Sequence, residues 1–313
     1  MTDPELATVD ADPVFRTPPP EDFAAPRPPG AGAILLFTAG FLLLTTIFQT
    51  LVYLFGALWP ALRSPVGMLV TGLVSTVGWG LAAWFWVSVR ALPTAWLKLA
   101  PPRRPFRAWV FLALLVPVTL LFGSNLEALL LHVFPALQRP DPQMEFLTGA
   151  ALGSPLAWTL VIGLGVVAAP VCEELFFRGL LLRSLRLRTW GAWPAMAFTA
   201  ALFAAVHLKI VGFLLLFTVG FVLAALTEWS GRLFPAVLFH ALYNGLVLAI
   251  SLGGRLLVTP EFEPFTLTPP APARPELVPL GAALWLLGLA GPALVWLLFL
   301  LRRSLRAPTE DPS

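Results

Sequence analysis

The stretch SPLAWTLVIGLGVVAAPVCEELFFRGLLL, residues 154–182, decides the fold. It carries only three charged side chains, Glu173, Glu174 and Arg178. A helical crossing of a bilayer takes about 20 predominantly apolar residues, so this run is long enough to span one. The whole chain has the same character. Of its 313 residues 58% are hydrophobic and 12% charged, against roughly 45–50% and 25% in an ordinary soluble domain. A soluble globule is therefore excluded, because 20 Lys and Arg with 17 Asp and Glu cannot cover its surface. The 12 Trp and 24 Phe suit a lipid-facing exterior with aromatic anchors at its edges.

Working outward, eight apolar spans are expected, near 34–59, 66–89, 108–133, 154–182, 193–208, 211–229, 233–252 and 278–301. The fold class is all-α, a polytopic membrane protein of about eight transmembrane helices. The fifth span is the shortest and reads as a helix that turns within the membrane. Ser230-Gly231-Arg232 marks a tight break between spans six and seven. Residues 1–33 are acidic and proline-rich with no apolar period, and are expected to be a disordered cytoplasmic tail. They lack the basic opening of a secretory signal. The transmembrane domain is expected over 34–306, followed by a short tail, 307–313.

The formal net charge of +3 does not indicate a nucleic-acid partner, since 18 of the 20 basic residues are Arg scattered in short loops. They act as topology signals. With the amino terminus inside, the loops on the cytoplasmic side hold 14 Lys and Arg and those outside hold 5, the bias expected of cytoplasmic loops. Both termini are thus expected in the cytoplasm of a multi-pass protein of the cell (inner) membrane. No internal repeat suggests an inverted-repeat transporter. The single cysteine, Cys172, builds neither an intrachain disulfide nor a thiolate zinc site.

An ionisable side chain inside a membrane helix costs about 2.5–3.5 kcal/mol on insertion scales, so it normally faces the protein interior and serves a function. The charges counted within spans are Glu127, Glu173, Glu174 and Arg178. Glu174 and Arg178 stand at i and i+4 with the acid on the amino-terminal side, the better order for a helical ion pair. Glu173 lies about 100° around the helix and is the carboxylate left for chemistry. Span five ends in Phe203-x-x-x-His207, and span seven contains His240-x-x-x-Asn244, whose two polar residues share a helix face. Each cluster has a plain structural alternative, an ion pair that locks two helices or polar glue between them. Their depths favour convergence. At 1.5 Å per residue Glu173, His240 and His207 lie about 15, 10 and 21 Å from the cytoplasmic ends of their spans, so a site between spans four, five and seven is geometrically possible.

Cys172 reads as inert packing, since no nearby cation favours its thiolate. Glu127 either lines the cavity or sits near the outer interface, and His132 is expected at that interface.

Glu-Glu-x-x-x-Arg at Glu173, Glu174 and Arg178, Phe-x-x-x-His at Phe203 and His207, and His-x-x-x-Asn at His240 and Asn244, in this order on separate spans, resemble the CPBP family. It comprises CAAX-processing endopeptidases of the Ras-converting type and bacterial relatives linked to bacteriocin processing and immunity. The resemblance covers roughly 154–252. It implies an intramembrane protease that hydrolyses a peptide bond of a membrane-associated protein or peptide. In that view Glu173 and His207 activate a water, and His240 and Asn244 bind the oxyanion. Glu174, Arg178 and Phe203 support the site. The family is also called a metalloprotease family, and Glu173, His207 and His240 would supply a two-His, one-carboxylate zinc set. The chain lacks the His-Glu-x-x-His helix that pairs two ligands with a separate base, so water activation without metal is the favoured reading. The competing functions are a non-proteolytic immunity or scaffold protein of the same fold, and a proton- or cation-coupled transporter. The bilayer and a peptide substrate are the expected partners.

Overall fold

In the computed structural model, residues 65–89, 104–137, 155–187, 190–207, 209–258 and 278–306 are described, with scattered positions between 30 and 51 and at 99, 101 and 102. Among them there is no strand. The helices are α1 (Pro65–Val89), α2 (Phe106–Val133), α3 (155–187), α4 (Ala192–Val206), α5 (Phe213–Ser230), α6 (Phe234–Val258) and α7 (Leu280–Arg306). Helix is the outcome that apolar surroundings dictate, because it satisfies each backbone N–H and C=O within one segment. Among the described residues five stretches are long and apolar enough to cross a membrane: Phe106–Val133, Trp158–Arg186, Phe213–Ser230, Phe234–Gly253 and Leu280–Leu305. The fold class is that expected, and seven of the eight predicted spans coincide with these seven helices to within a few residues. The first span, the two tails and the proline-rich loop before α7 lie largely outside the described residues.

α4 is the short helix the sequence leads one to expect. It has 15 residues and stops at His207, whose backbone N–H returns to the Ala204 carbonyl at 3.3 Å. The break between α5 and α6 is also as expected. Gly231 takes φ 67°, the left-handed region where a Cβ is penalised. Its N–H closes on the Thr227 carbonyl at 2.9 Å, while Ser230 Oγ accepts the Arg232 amide at 3.2 Å.

α3 is not a regular helix. Its α-helical stretches Pro155–Val161, Ala169–Glu174 and Arg183–Leu187 alternate with wider i→i+5 turns over Ile162–Ala168 and Leu175–Leu182. Pro170 accounts for the first of these. A proline inside a helix donates no hydrogen bond and its ring collides with the carbonyl four residues back, and a wider turn relieves that collision.

The core lies where α3 meets its neighbours. Phe176, Phe177, Leu180 and Leu181 of α3, Leu112 and Leu115 of α2, Phe203 of α4 and Phe239 of α6 are fully buried. Trp79 of α1 packs on Phe176 at 4.8 Å between ring centroids, and Phe177 packs edge-on against Phe203 at 5.3 Å. Elsewhere α2 lies along α7, and α4 lies along α5.

One end of the bundle collects the carboxyl ends of α3, α5 and α7 and the amino ends of α2 and α6. Arg186 of α3 pairs with Glu228 of α5 at 2.8 Å, Arg302 of α7 stands over Trp229 at 5.9 Å, and Trp109 of α2 meets Phe234 of α6 at 5.8 Å. These contacts require α3, α5 and α7 to run opposite to α2 and α6. They also correct one expectation. Glu228 is a further charge inside a helix, buried and ion-paired, although the count of charges within spans omits it.

Gly220 sets how closely α4 and α5 cross. A Cβ there would lie 3.1 Å from the Ala200 Cα and 3.1 Å from the Phe203 ring. Gly220→Val should therefore force the two helices apart at a cost of about 1–3 kcal/mol. Its thermal unfolding midpoint, followed with a dye that reacts with Cys172 as the chain opens, should fall below that of wild type. Gly288→Ala, where the added Cβ meets nothing within 4 Å, should leave it unchanged or raise it.

Candidate active site

The site grows from one buried ion pair. Arg178 Nη1 donates to Glu174 Oε1 at 2.9 Å, and neither side chain has any exposed surface. The i, i+4 pairing expected from spacing is thus present, although a wide turn begins between its two members. Arg178 does more than neutralise the acid. Its Nη2 donates to the Gly220 carbonyl at 2.8 Å, and its guanidinium lies 4.7 Å from the centre of the Phe203 ring. A guanidinium over an aromatic face gains cation–π attraction, more when desolvated. Arg178 thereby ties α3 to both α4 and α5.

Phe203 explains the aromatic position of the second motif. Besides Arg178 and Phe177, its ring meets the imidazoles of His207 at 4.8 Å and of His240 at 5.8 Å. His207 stands at the carboxyl end of α4, and its Nδ1 is 2.7 Å from the Phe203 carbonyl. That atom satisfies an end-of-helix acceptor and fixes the ring. Nε2 is the nitrogen left for other partners.

His240 enters from α6 and meets both glutamates. Nδ1 is 3.0 Å from Glu174 Oε1, and Nε2 is 3.9 Å from Glu173 Oε2. The two neighbouring acids have different surroundings. Glu174 is fully enclosed, whereas the Glu173 side chain keeps 15% of its surface. Glu173, as expected from its helical phase, is the carboxylate that retains access.

Asn244, one turn beyond His240, donates through Nδ2 to the Gly165 carbonyl of α3 at 2.8 Å. That carbonyl is available for a local reason. The Ala169 N–H bonds to Leu164 in the wide-turn register, and the same register would offer Gly165 the N–H of residue 170, which is Pro170. Proline has none. Asn244 supplies the missing donor and keeps one amide hydrogen for other use.

The structure therefore gathers Glu173, Glu174, Arg178, Phe203 and His240 into one contact network. His207 joins it through the Phe203 ring, and Asn244 joins through α3. Sequence reasoning missed the parts played by Gly220, Gly165 and Pro170, for which the signal was small or proline residues inside apolar spans. Cys172 is half-buried at the crossing with α1, where a Cβ on Gly80 would lie 2.8 Å from its sulfur. Its setting is packing, as expected. Glu127 lies in the last two turns of α2. His132 Nδ1 sits 2.8 Å from the Ala128 carbonyl in the last turn of α2.

The zinc alternative gains no support from this arrangement. Among the described residues no three His, Cys, Asp or Glu side chains converge as a metal set. Of that set, His240 Nε2 and Glu173 Oε2 stand 3.9 Å apart, whereas His207 meets the network through the Phe203 ring. The metalloprotease reading thus finds no support among the described residues.

Residues 154–246, the segment that carries all three motifs, match the model of the Rce1-like family, type II CAAX prenyl endopeptidases. The resemblance drawn from the motifs is borne out over those residues. No curated protein and no solved structure matches the chain.

Removing one member of a buried pair leaves an uncompensated charge and costs about 3–5 kcal/mol. Arg178→Leu should therefore lower the thermal unfolding midpoint far more than Gly220→Val. Arg178→Lys should recover only part of the loss, since an ammonium lacks the planar fork that reaches Glu174 and Gly220 together. Thermal unfolding of the purified variants in detergent, beside wild type, checks both statements.

Proposed function

We propose that the chain is an intramembrane endopeptidase that hydrolyses a peptide bond near the carboxyl end of a membrane-associated protein or peptide. The observation that carries this reading is the unequal pair of adjacent glutamates. Glu174 is spent on Arg178 and wholly enclosed, while Glu173 keeps access and faces the Nε2 of His240 at 3.9 Å. The match to the CAAX endopeptidase family over the same residues supports it.

In this reading Glu173 takes a proton from a water that His207 helps to hold, and the water oxygen attacks the substrate carbonyl. General acid–base groups of this kind contribute about 10²–10⁴-fold each. His240 and Asn244 supply donors to the oxyanion, at roughly 10²–10³-fold per donor in a dry site. Glu174, Arg178 and Phe203 hold these groups without touching the reacting atoms. The end of the bundle formed by Arg186, Arg302 and the α5–α6 turn faces the cytoplasm of the cell (inner) membrane, in keeping with the excess of basic residues in those loops. Both termini then lie on that side. In this reading these side chains activate the water without a metal.

Purified protein incubated with a pool of reporter peptides should cleave some of them. Glu173→Gln and His207→Ala, each still folded, should lose at least about 10²-fold in rate. Equal cleavage by wild type and both variants would sink the protease reading and favour an immunity or scaffold role. Protein stripped with a chelator and shown by metal analysis to be free of zinc should keep its full rate. Loss of activity on stripping, with recovery on adding zinc, would overturn the metal-free mechanism.

A further inference from the structure

We infer that Glu174 is the positioning residue of His240: it locks the ring in the Nδ1–H tautomer, which makes Nε2 the proton-handling atom facing Glu173. The inference deepens the endopeptidase reading and rests on it for its catalytic meaning.

Three observations lead there. Glu174 Oε1 accepts a hydrogen bond from Arg178 at 2.9 Å in a fully buried pair, the arrangement in which a guanidinium faces a carboxylate. An ionised carboxylate only accepts hydrogen bonds. The ring nitrogen 3.0 Å from that same oxygen, His240 Nδ1, must therefore be the donor. A neutral imidazole carries one N–H, so Nε2 is left with its lone pair, and it points towards Glu173 Oε2 at 3.9 Å. The base, the imidazole and the buried acid thus stand in the order seen wherever a third group orients a catalytic histidine.

This order defines where the proton goes. As the water oxygen bonds to the carbonyl carbon, its O–H bond breaks and the proton passes to Glu173. From there it moves to His240 Nε2, giving an imidazolium whose Nδ1–H stays on the Glu174 carboxylate. Only then does His240 hold an Nε2–H able to donate to the oxyanion. The same proton is next delivered to the leaving amine nitrogen as the C–N bond breaks. Glu173 and His240 return to their starting forms, and the products are one carboxylic acid and one amine. The Glu174–Arg178 pair, which spacing alone presents as a helix lock, therefore acts on the chemistry through the far side of the ring.

The chain has only three histidines, His132, His207 and His240, so their nitrogen signals can be assigned by single replacements. Wild-type protein labelled with ¹⁵N-histidine and ¹³C-glutamate, in lipid at a pH where the rings are neutral, should show His240 with a protonated Nδ1 and an unprotonated Nε2. Its Nδ1 should also show a short dipolar distance to the Glu174 carboxylate carbon. A protonated Nε2, or the absence of that short distance, would overturn the inference without any variant having to fold.

In Glu174→Gln the fixed preference should give way to a mixture of tautomers, because an amide offers both an acceptor and donors. Its peptidase kcat should fall about 10²-fold with KM nearly unchanged. An unchanged tautomer in that variant would overturn the inference. A wild-type chain that shows the expected spectrum but cleaves no peptide would instead overturn the endopeptidase reading and leave the Glu174–His240 contact standing.

Discussion

Everything in the site depends on the buried Glu174–Arg178 ion pair. Taking two charges out of water costs several kcal/mol per ion, and mutual attraction offsets this only where geometry is good and the remaining hydrogen-bonding groups find partners. Here much of that requirement is met by neighbouring helices. The Gly220 carbonyl of α5 takes the second guanidinium nitrogen, the Phe203 ring of α4 takes its face, and His240 of α6 adds a second donor to Glu174 Oε1. Such pairs are weak sources of net stability compared with well-packed apolar side chains. This one selects an arrangement. Each of α4, α5 and α6 must stand where it satisfies a group on α3.

That demand needs close backbones, and the chain achieves them with residues that have little or no side chain. Gly220 lets α5 approach α4 closely enough for its carbonyl to reach Arg178. Gly80 lets α1 rest on the Cys172 side of α3, next to Glu173. Small residues at crossings are the usual route to tight packing in membranes, where lipid tails provide no hydrophobic drive between helices. In this protein the same glycines also decide which polar atoms can meet.

The architecture was largely legible in the sequence. Seven expected spans coincide with helices, and the short fifth span and the Ser230-Gly231-Arg232 break appear where runs of apolar residues and turn residues place them. The i, i+4 geometry of Glu174 and Arg178 was legible too, because helical phase is a local property. What was not legible depends on contacts between segments far apart in the chain. His240 looked like a partner of Asn244 directed at one spot, yet its two ring nitrogens face the two glutamates on another helix. The wide turns of α3 had a local cue in Pro170, but nothing local states that Asn244, 79 positions after Gly165, will satisfy the carbonyl left over. Glu228 lies within the expected span 211–229 in plain sequence, but its pairing with Arg186 on a different helix was not legible.

The two adjacent glutamates show why an ordered set of short motifs carries more information than any one of them. A lone Glu-Glu-x-x-x-Arg on an apolar helix would specify an ion pair and a spare acid, and a spare acid in a membrane has no stated task. Phe203 and His240 change this. Phe203 stacks on the arginine and meets the imidazole of His240, while His240 bonds to the spent acid and presents its free nitrogen to the spare one. Deleting the middle motif would leave the arginine without its aromatic face, and deleting the last would remove the imidazole that faces Glu173. The motifs are therefore parts of one structure in which the cost of burying charge on α3 is met by residues that also stand beside the remaining carboxylate.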